Sequence, residues 1–107
     1  MGGAIGRVAE EDTAYTGRSA RFDLSADAFW DDPALDAANR DWVRRAMAIA
    51  EPDATIGRYA NENADAGPAE TVLIYGEAKV RRLAQLKRTW DPDNVFHRNH
   101  NVEPASG

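Results

Sequence analysis

With 107 residues, 18 acidic against 13 basic side chains and a formal net charge of −5, the chain reads as one small acidic domain with no concentrated basic face for nucleic-acid phosphates. It has no cysteine, which excludes disulfides, thiolate nucleophiles and Cys-ligated metals. No apolar run approaches the ~18 residues of a membrane span, and Met1-Gly2-Gly3-Ala4-Ile5-Gly6-Arg7 lacks the charged and apolar regions of a secretion signal, so a cytoplasmic protein is expected.

The first segment, Ala4 to Val8, is short, β-compatible and flanked by glycine, which suits a first or edge strand. From Thr13 to Leu24, the residues Ala14, Thr16, Ala20, Phe22 and Leu24 share one parity, the alternation of a half-buried strand, with Tyr15 on the other side. Residues 1–30 are thus assigned to strands. Asp31-Asp32-Pro33 reads as a helix start, because aspartate caps N–H groups and proline at the first helical position sacrifices no hydrogen bond. Leu35, Ala38, Trp42, Ala46 and Ile49 recur at helical steps, predicting an amphipathic helix over 33–50 that stops before Pro52.

A third strand is expected over 55–62, from Thr55 through Tyr59-Ala60-Asn61, followed by a loop of small and polar residues from Ala64 to Pro68. Helices are expected over 69–90. A short one from Ala69 to Tyr75 is closed by Gly76 as a left-handed cap, and a second carries the stripe Ala78, Val80, Leu83, Leu86 and Trp90. Lys79, Arg81, Arg82, Lys87 and Arg88 flank that stripe and read as a basic face, solvated or paired with the acidic surplus. Asp91-Pro92 breaks the helix, and residues 91–107 are expected to form an extended tail.

This order predicts an α+β fold in which helices pack on one face of a small antiparallel sheet of about three strands. So thin a sheet leaves unpaired edges, which favour a homodimer or pairing with another polypeptide. His97 and His100 lie in a non-helical tail with only Glu103 near them in sequence, so surface histidines are expected and no metal site. Taken by type alone, Tyr59 and Asn61 read as a core aromatic and a strand-end hydrogen bonder, and Asp91-Pro92-Asp93-Asn94 as a turn.

In order, the chain also carries Tyr59-Ala60-Asn61, Tyr75-Gly76, Arg82-Leu83, Leu86-Lys87, Asp91-Pro92-Asp93-Asn94-Val95-Phe96 and Asn99-His100-Asn101-Val102, closed by Pro104. This series resembles the C-terminal segment of the berberine-bridge-enzyme-like FAD-linked oxidases of the vanillyl-alcohol-oxidase superfamily. Gly2-Gly3-Ala4-Ile5 and Thr13-Ala14-Tyr15-Thr16-Gly17-Arg18 are similar to paired strands of that family's substrate-binding domain, and the helix with Trp42 is similar to its Trp-containing helix. The resemblance therefore runs almost from end to end.

It implies FAD as cofactor and a Tyr-x-Asn segment beside the isoalloxazine ring, with Tyr59, Asn61, Asn99 and Asn101 as cofactor-binding residues. Many members follow that motif with a second Tyr, a catalytic base or pocket residue, and Glu62 stands at that position here. A carboxylate whose pKa is raised by burial can take a proton, so Glu62 is the candidate catalytic residue, set against the plainer reading of a solvated strand end. The family's FAD-binding domain, with its glycine-rich pyrophosphate loop, is not represented in these residues, and a separate FAD-binding polypeptide is the expected partner.

Three functions are compatible with this reading. The chain is the C-terminal portion of, or a stand-alone relative of, an FAD-dependent oxidoreductase and contributes a wall of the substrate and flavin pocket, inactive alone. Alternatively it is a flavin-independent homodimeric module binding a small molecule, or a degenerate interaction domain.

Overall fold

The computed structural model describes residues 2–54, 57–63 and 65–107, and the chain divides into two compact units, Phe22–Thr55 and Met1–Arg21 with Ile56–Gly107. In the unit Phe22–Thr55, Asp32 caps the start of the helical stretch. Its Oδ1 accepts from the Ala34 amide at 2.9 Å, with Pro33 opening the 3₁₀ turn Pro33–Leu35. That turn leads into helix α1 (Asp36–Ala50), whose first-turn Asp36 carboxylate accepts from Trp30 Nε1 at 2.7 Å. The pairs Arg40–Asp36 and Arg45–Asp41 are solvent-exposed and so contribute little. The less exposed face of α1 runs through Asp36, Asn39, Val43, Ala46 and Ala50, while Leu35, Trp42 and Ile49 of the expected stripe are exposed.

The other unit is organised by two consecutive helices, α2 (Pro68–Tyr75) and α3 (Glu77–Trp90). Gly76 joins them at φ 76°: its N–H donates to Val72 O at 2.8 Å and its C=O accepts from Val80 N at 3.0 Å. Only glycine takes that conformation cheaply, so one residue ends the first helix and starts the second. Ile74 and Thr71 of α2, each 2% exposed, are its most buried side chains among the described residues. The C-terminal stretch runs along both helices, since Thr71 Oγ1 donates to Asn101 O at 3.2 Å and the Ala105 amide to Ala84 O at 3.0 Å.

The end of α3 is a tightly bonded turn. The Asp91 carboxylate accepts from the amides of Val95 at 2.8 Å and Phe96 at 3.1 Å, and Lys87 Nζ reaches both this carboxylate and Phe96 O. The Lys87 hydrogen bond, against some opposition from desolvation and with help from the two amides, holds the Asp91 carboxyl below the usual carboxylate range. Val95 and Phe96 then project outward.

The three-stranded sheet and the α+β class expected from the sequence are not formed: among the described residues there is no strand. Ala4–Val8 contains the 3₁₀ turn Ile5–Arg7, and a second, Glu10–Asp12, precedes an irregular stretch over 13–24. The reason is local. The amides of Gly17 and Arg18, which a ladder would need, donate instead to the Glu10 carboxylate, and Gly17 at φ 98° interrupts the pleat. In the 55–62 stretch, Tyr59 is extended, but Arg58 N bonds to the helical Leu73 carbonyl at 3.3 Å and Ala60–Glu62 coils into a 3₁₀ turn. Extended dihedrals without a partner strand make no sheet. Thr55 and Ile56 of that expected strand, Ala64 of the expected loop, and Met1 lie outside the described residues. Among the described residues no helix is long and apolar enough to cross a membrane.

Candidate functional site

Two stretches distant in sequence meet beside α2. The first is Ala14-Tyr15-Thr16, the second Arg58-Tyr59-Ala60, and with Ile74 and Tyr75 they line a cavity of about 160 Å³. Gly57 admits the second stretch. A Cβ built on it would stand 1.8 Å from Leu73 O, so only a residue with no side chain lets this backbone reach the helix.

Within the cavity wall the rings of Tyr15 and Tyr59 meet edge to face, centroids 6.3 Å apart at 66°. That geometry sets the positive ring edge against the negative face, a favourable arrangement for two π systems. The Arg18 guanidinium lies over the Tyr15 ring, 5.2 Å from its centroid, and adds a cation–π contact. Asn61 Nδ2 donates to the Tyr59 hydroxyl at 2.9 Å, so the phenolic oxygen is an acceptor and its own hydrogen remains to be donated.

The flank of the site is polar. Glu70 Oε2 on α2 accepts from Arg58 Nη1 at 2.8 Å and from Asn63 Nδ2 at 2.9 Å, and His100 Nε2 pairs with the Asn63 carbonyl at 3.1 Å. The Glu70 carboxylate thus ties the Tyr59 segment to α2, and His100 ties the C-terminal stretch to the same segment at the Asn63 carbonyl. His100 Nδ1 and Asn101 Oδ1 are buried there without a hydrogen-bond partner.

Of the residues singled out from the sequence, Tyr59 and Asn61 come together. Glu62 ends the 3₁₀ turn, is exposed and does not line the cavity. Asn99 is exposed at φ 60°, and Asn101 contributes its carbonyl to Thr71, so neither joins the cavity wall. His97 is exposed, its Nδ1 within 3.0 Å of the carbonyls of Asn94 and Val95. No three His, Asp or Glu side chains gather to hold a metal ion among the described residues.

Sequence reasoning missed the pair beneath Tyr15. Lys79 is 8% exposed, and its Nζ donates to Glu10 Oε1 at 2.9 Å and Tyr15 O at 2.8 Å. Glu10 in turn accepts from the Gly17 amide at 3.2 Å and the Arg18 amide at 3.0 Å. The Lys79 hydrogen bond holds the Glu10 carboxyl below the usual carboxylate range; desolvation opposes it and the two amides reinforce it. A signal was present: Lys79 stands four residues before Leu83, on the apolar side of α3 and not on a solvated face.

Residues 52–103 match the family described as "Berberine and berberine like". Over 97% of its length the chain is 29% identical to the uncharacterized FAD-linked oxidoreductase YvdP of Bacillus subtilis, covering 23% of that protein. It is 32% identical to the FAD-linked oxidoreductase YgaK of the same organism, again over 97% of this chain and 23% of the relative. The aclacinomycin-N/aclacinomycin-A oxidase of Streptomyces galilaeus is 28% identical over 96% of this chain and 22% of its own length. The chain thus spans less than a quarter of these relatives.

Proposed function

As this chain carries a berberine-bridge-enzyme-like segment akin to that of FAD-linked oxidoreductases, we propose that it forms one wall of the ligand site of an FAD-dependent oxidoreductase. The observation that carries this reading is the Asn61-anchored Tyr59, in edge contact with Tyr15 at a cavity and inside the matched stretch. Tyr59 and Tyr15 offer ring surface to a planar group, and the Tyr59 hydroxyl offers one directional donor.

The described residues do not fit FAD as a complete holding site. The cavity beside Tyr59, about 160 Å³, and a second one between Glu11–Ala14 and α3, about 280 Å³, both fall below the ~300–1,000 Å³ that enclose a drug-sized ligand. Helix N-termini are the usual pyrophosphate seats, but α2 and α3 carry Glu70 and Glu77 in their first turns, charges that repel phosphate. The flavin's pyrophosphate arm therefore belongs to another stretch of polypeptide, and the redox chemistry to the flavin it brings. A covering partner is also supported by Trp90, Phe96 and Val95, which are 83%, 81% and 65% exposed in consecutive turns of the matched segment. In this reading the exposed Glu62 and Asn99 face that partner and not the cavity.

The test is an absorbance titration of the purified chain with FAD, alone and with the flavin-binding portion of a relative such as YvdP. Near-stoichiometric flavin bands with the partner present support the reading. A folded, colourless protein that ignores flavin in both arms refutes it and leaves a homodimeric small-molecule binder, which sedimentation would reveal.

A further inference from the structure

Tyr15 is pinned from both sides by groups with no other evident role. Its own carbonyl accepts from Lys79 Nζ, and the amides of the second and third residues after it donate to the Glu10 carboxylate that Lys79 also holds. Arg18 is thereby fixed, its Nη1 donating to Ile5 O at 3.1 Å, its Nη2 bonded to Thr13 Oγ1 and its guanidinium carbon over the Tyr15 ring. From Glu10 to Lys79 the bond spans 69 positions of sequence, joining the N-terminal stretch to α3 inside one compact unit.

We infer that Glu10 and Lys79 are positioning residues: a directional latch that holds Tyr15 in edge contact with Tyr59 and so sets the shape of the aromatic wall. The inference rests on the proposed function only for what the wall meets; the latch itself is a property of this chain. Its polarity is fixed by chemistry. The position of residue 10 must accept, because two backbone N–H groups point at it, and the position of residue 79 must donate, because a carbonyl does. A simple buried ion pair would have no such preference, since opposite charges attract in either order.

That asymmetry supplies the test. The inter-ring nuclear Overhauser effect between Tyr15 and Tyr59, read on the flavin-free chain, is expected to be lost in Lys79→Met and in Glu10→Leu, which has no acceptor, and kept in Lys79→Arg. The double exchange Glu10→Lys with Lys79→Glu restores opposite charge but faces a cation to two amides and a carboxylate to a carbonyl, so the effect stays lost. Arg81→Met, which breaks only the exposed Arg81–Glu77 pair on the same helix, leaves it unchanged. Circular dichroism of each variant separates loss of ring contact from loss of helix. Ring contact retained in Lys79→Met or Glu10→Leu, or recovered in the double exchange, overturns the latch. Because no flavin enters the measurement, a failed flavin titration leaves this result standing, and the converse also holds.

Discussion

Gly57 lies against the carbonyl of Leu73 so closely that a β-carbon on it would stand 1.8 Å from the oxygen, and this approach brings the Tyr59 segment to the C-terminal turn of α2. The neighbouring Arg58 amide takes the same carbonyl at 3.3 Å. Gly57→Ala is therefore expected to push the segment off the helix and cost ~1–3 kcal/mol, the usual range for forced overpacking. Urea denaturation measures this, with Gly2→Ala, which meets nothing within 4 Å, as the neutral control.

Asn61 and Tyr59 are both largely exposed, so their bond matters more to the direction of the phenol than to stability. Tyr59→Phe and Asn61→Ala should each change stability by less than ~1 kcal/mol, the net worth of one exposed hydrogen bond. Flavin turnover in the partnered protein should fall in both. Thermal melting and turnover are read side by side, and equal large losses of melting temperature would mark the pair as structural.

The carboxyls of Glu10 and Asp91 both titrate lower in the folded chain than in the unfolded one. Each thus stabilises the fold when ionised. The contribution is complete above the ordinary carboxylate range and is lost as the pH falls through the depressed folded-state values below it. Urea midpoints collected from neutral pH downward should decline in that acid window, and Asp91→Asn should flatten part of the decline.

In the unit Phe22–Thr55, the cap on the helical stretch is a single side chain, Asp32. Asp32→Ala is expected to cost about 0.5–2 kcal/mol of helix stability and to fray the Pro33–Leu35 turn first. Far-ultraviolet circular dichroism and amide exchange at Ala34 report it. The exposed pair Arg45–Asp41, broken by Arg45→Met, should leave both readings almost unchanged.

Helix ends were legible because they depend on neighbours in sequence. Asp32 with Pro33, Gly76, and Asp91 with Pro92 mark boundaries through capping, positive φ and a missing donor, all local chemistry. The strands were not. Parity over 13–24 and β-rich composition near Tyr59 describe which side chains alternate, but a strand exists only if another backbone offers its hydrogen bonds. Here Glu10 and the Leu73 carbonyl took those amides first. The helical faces were placed one step off for a related reason: periodicity gives a stripe, and packing chooses its rotation, so Val43 is less exposed than Trp42 and Lys79 is buried while Trp90 is open.

The sequence by itself determined the helix limits, the Tyr59-Ala60-Asn61 motif and the kinship it signals, because each is written in residues close together along the chain. Only the tertiary structure decided that Tyr15 would meet Tyr59, that Glu10 and Lys79 would hold it there, and that Glu62 would stand outside the cavity. Those outcomes depend on which distant groups satisfy buried donors and acceptors, and a linear order of residues does not contain that competition.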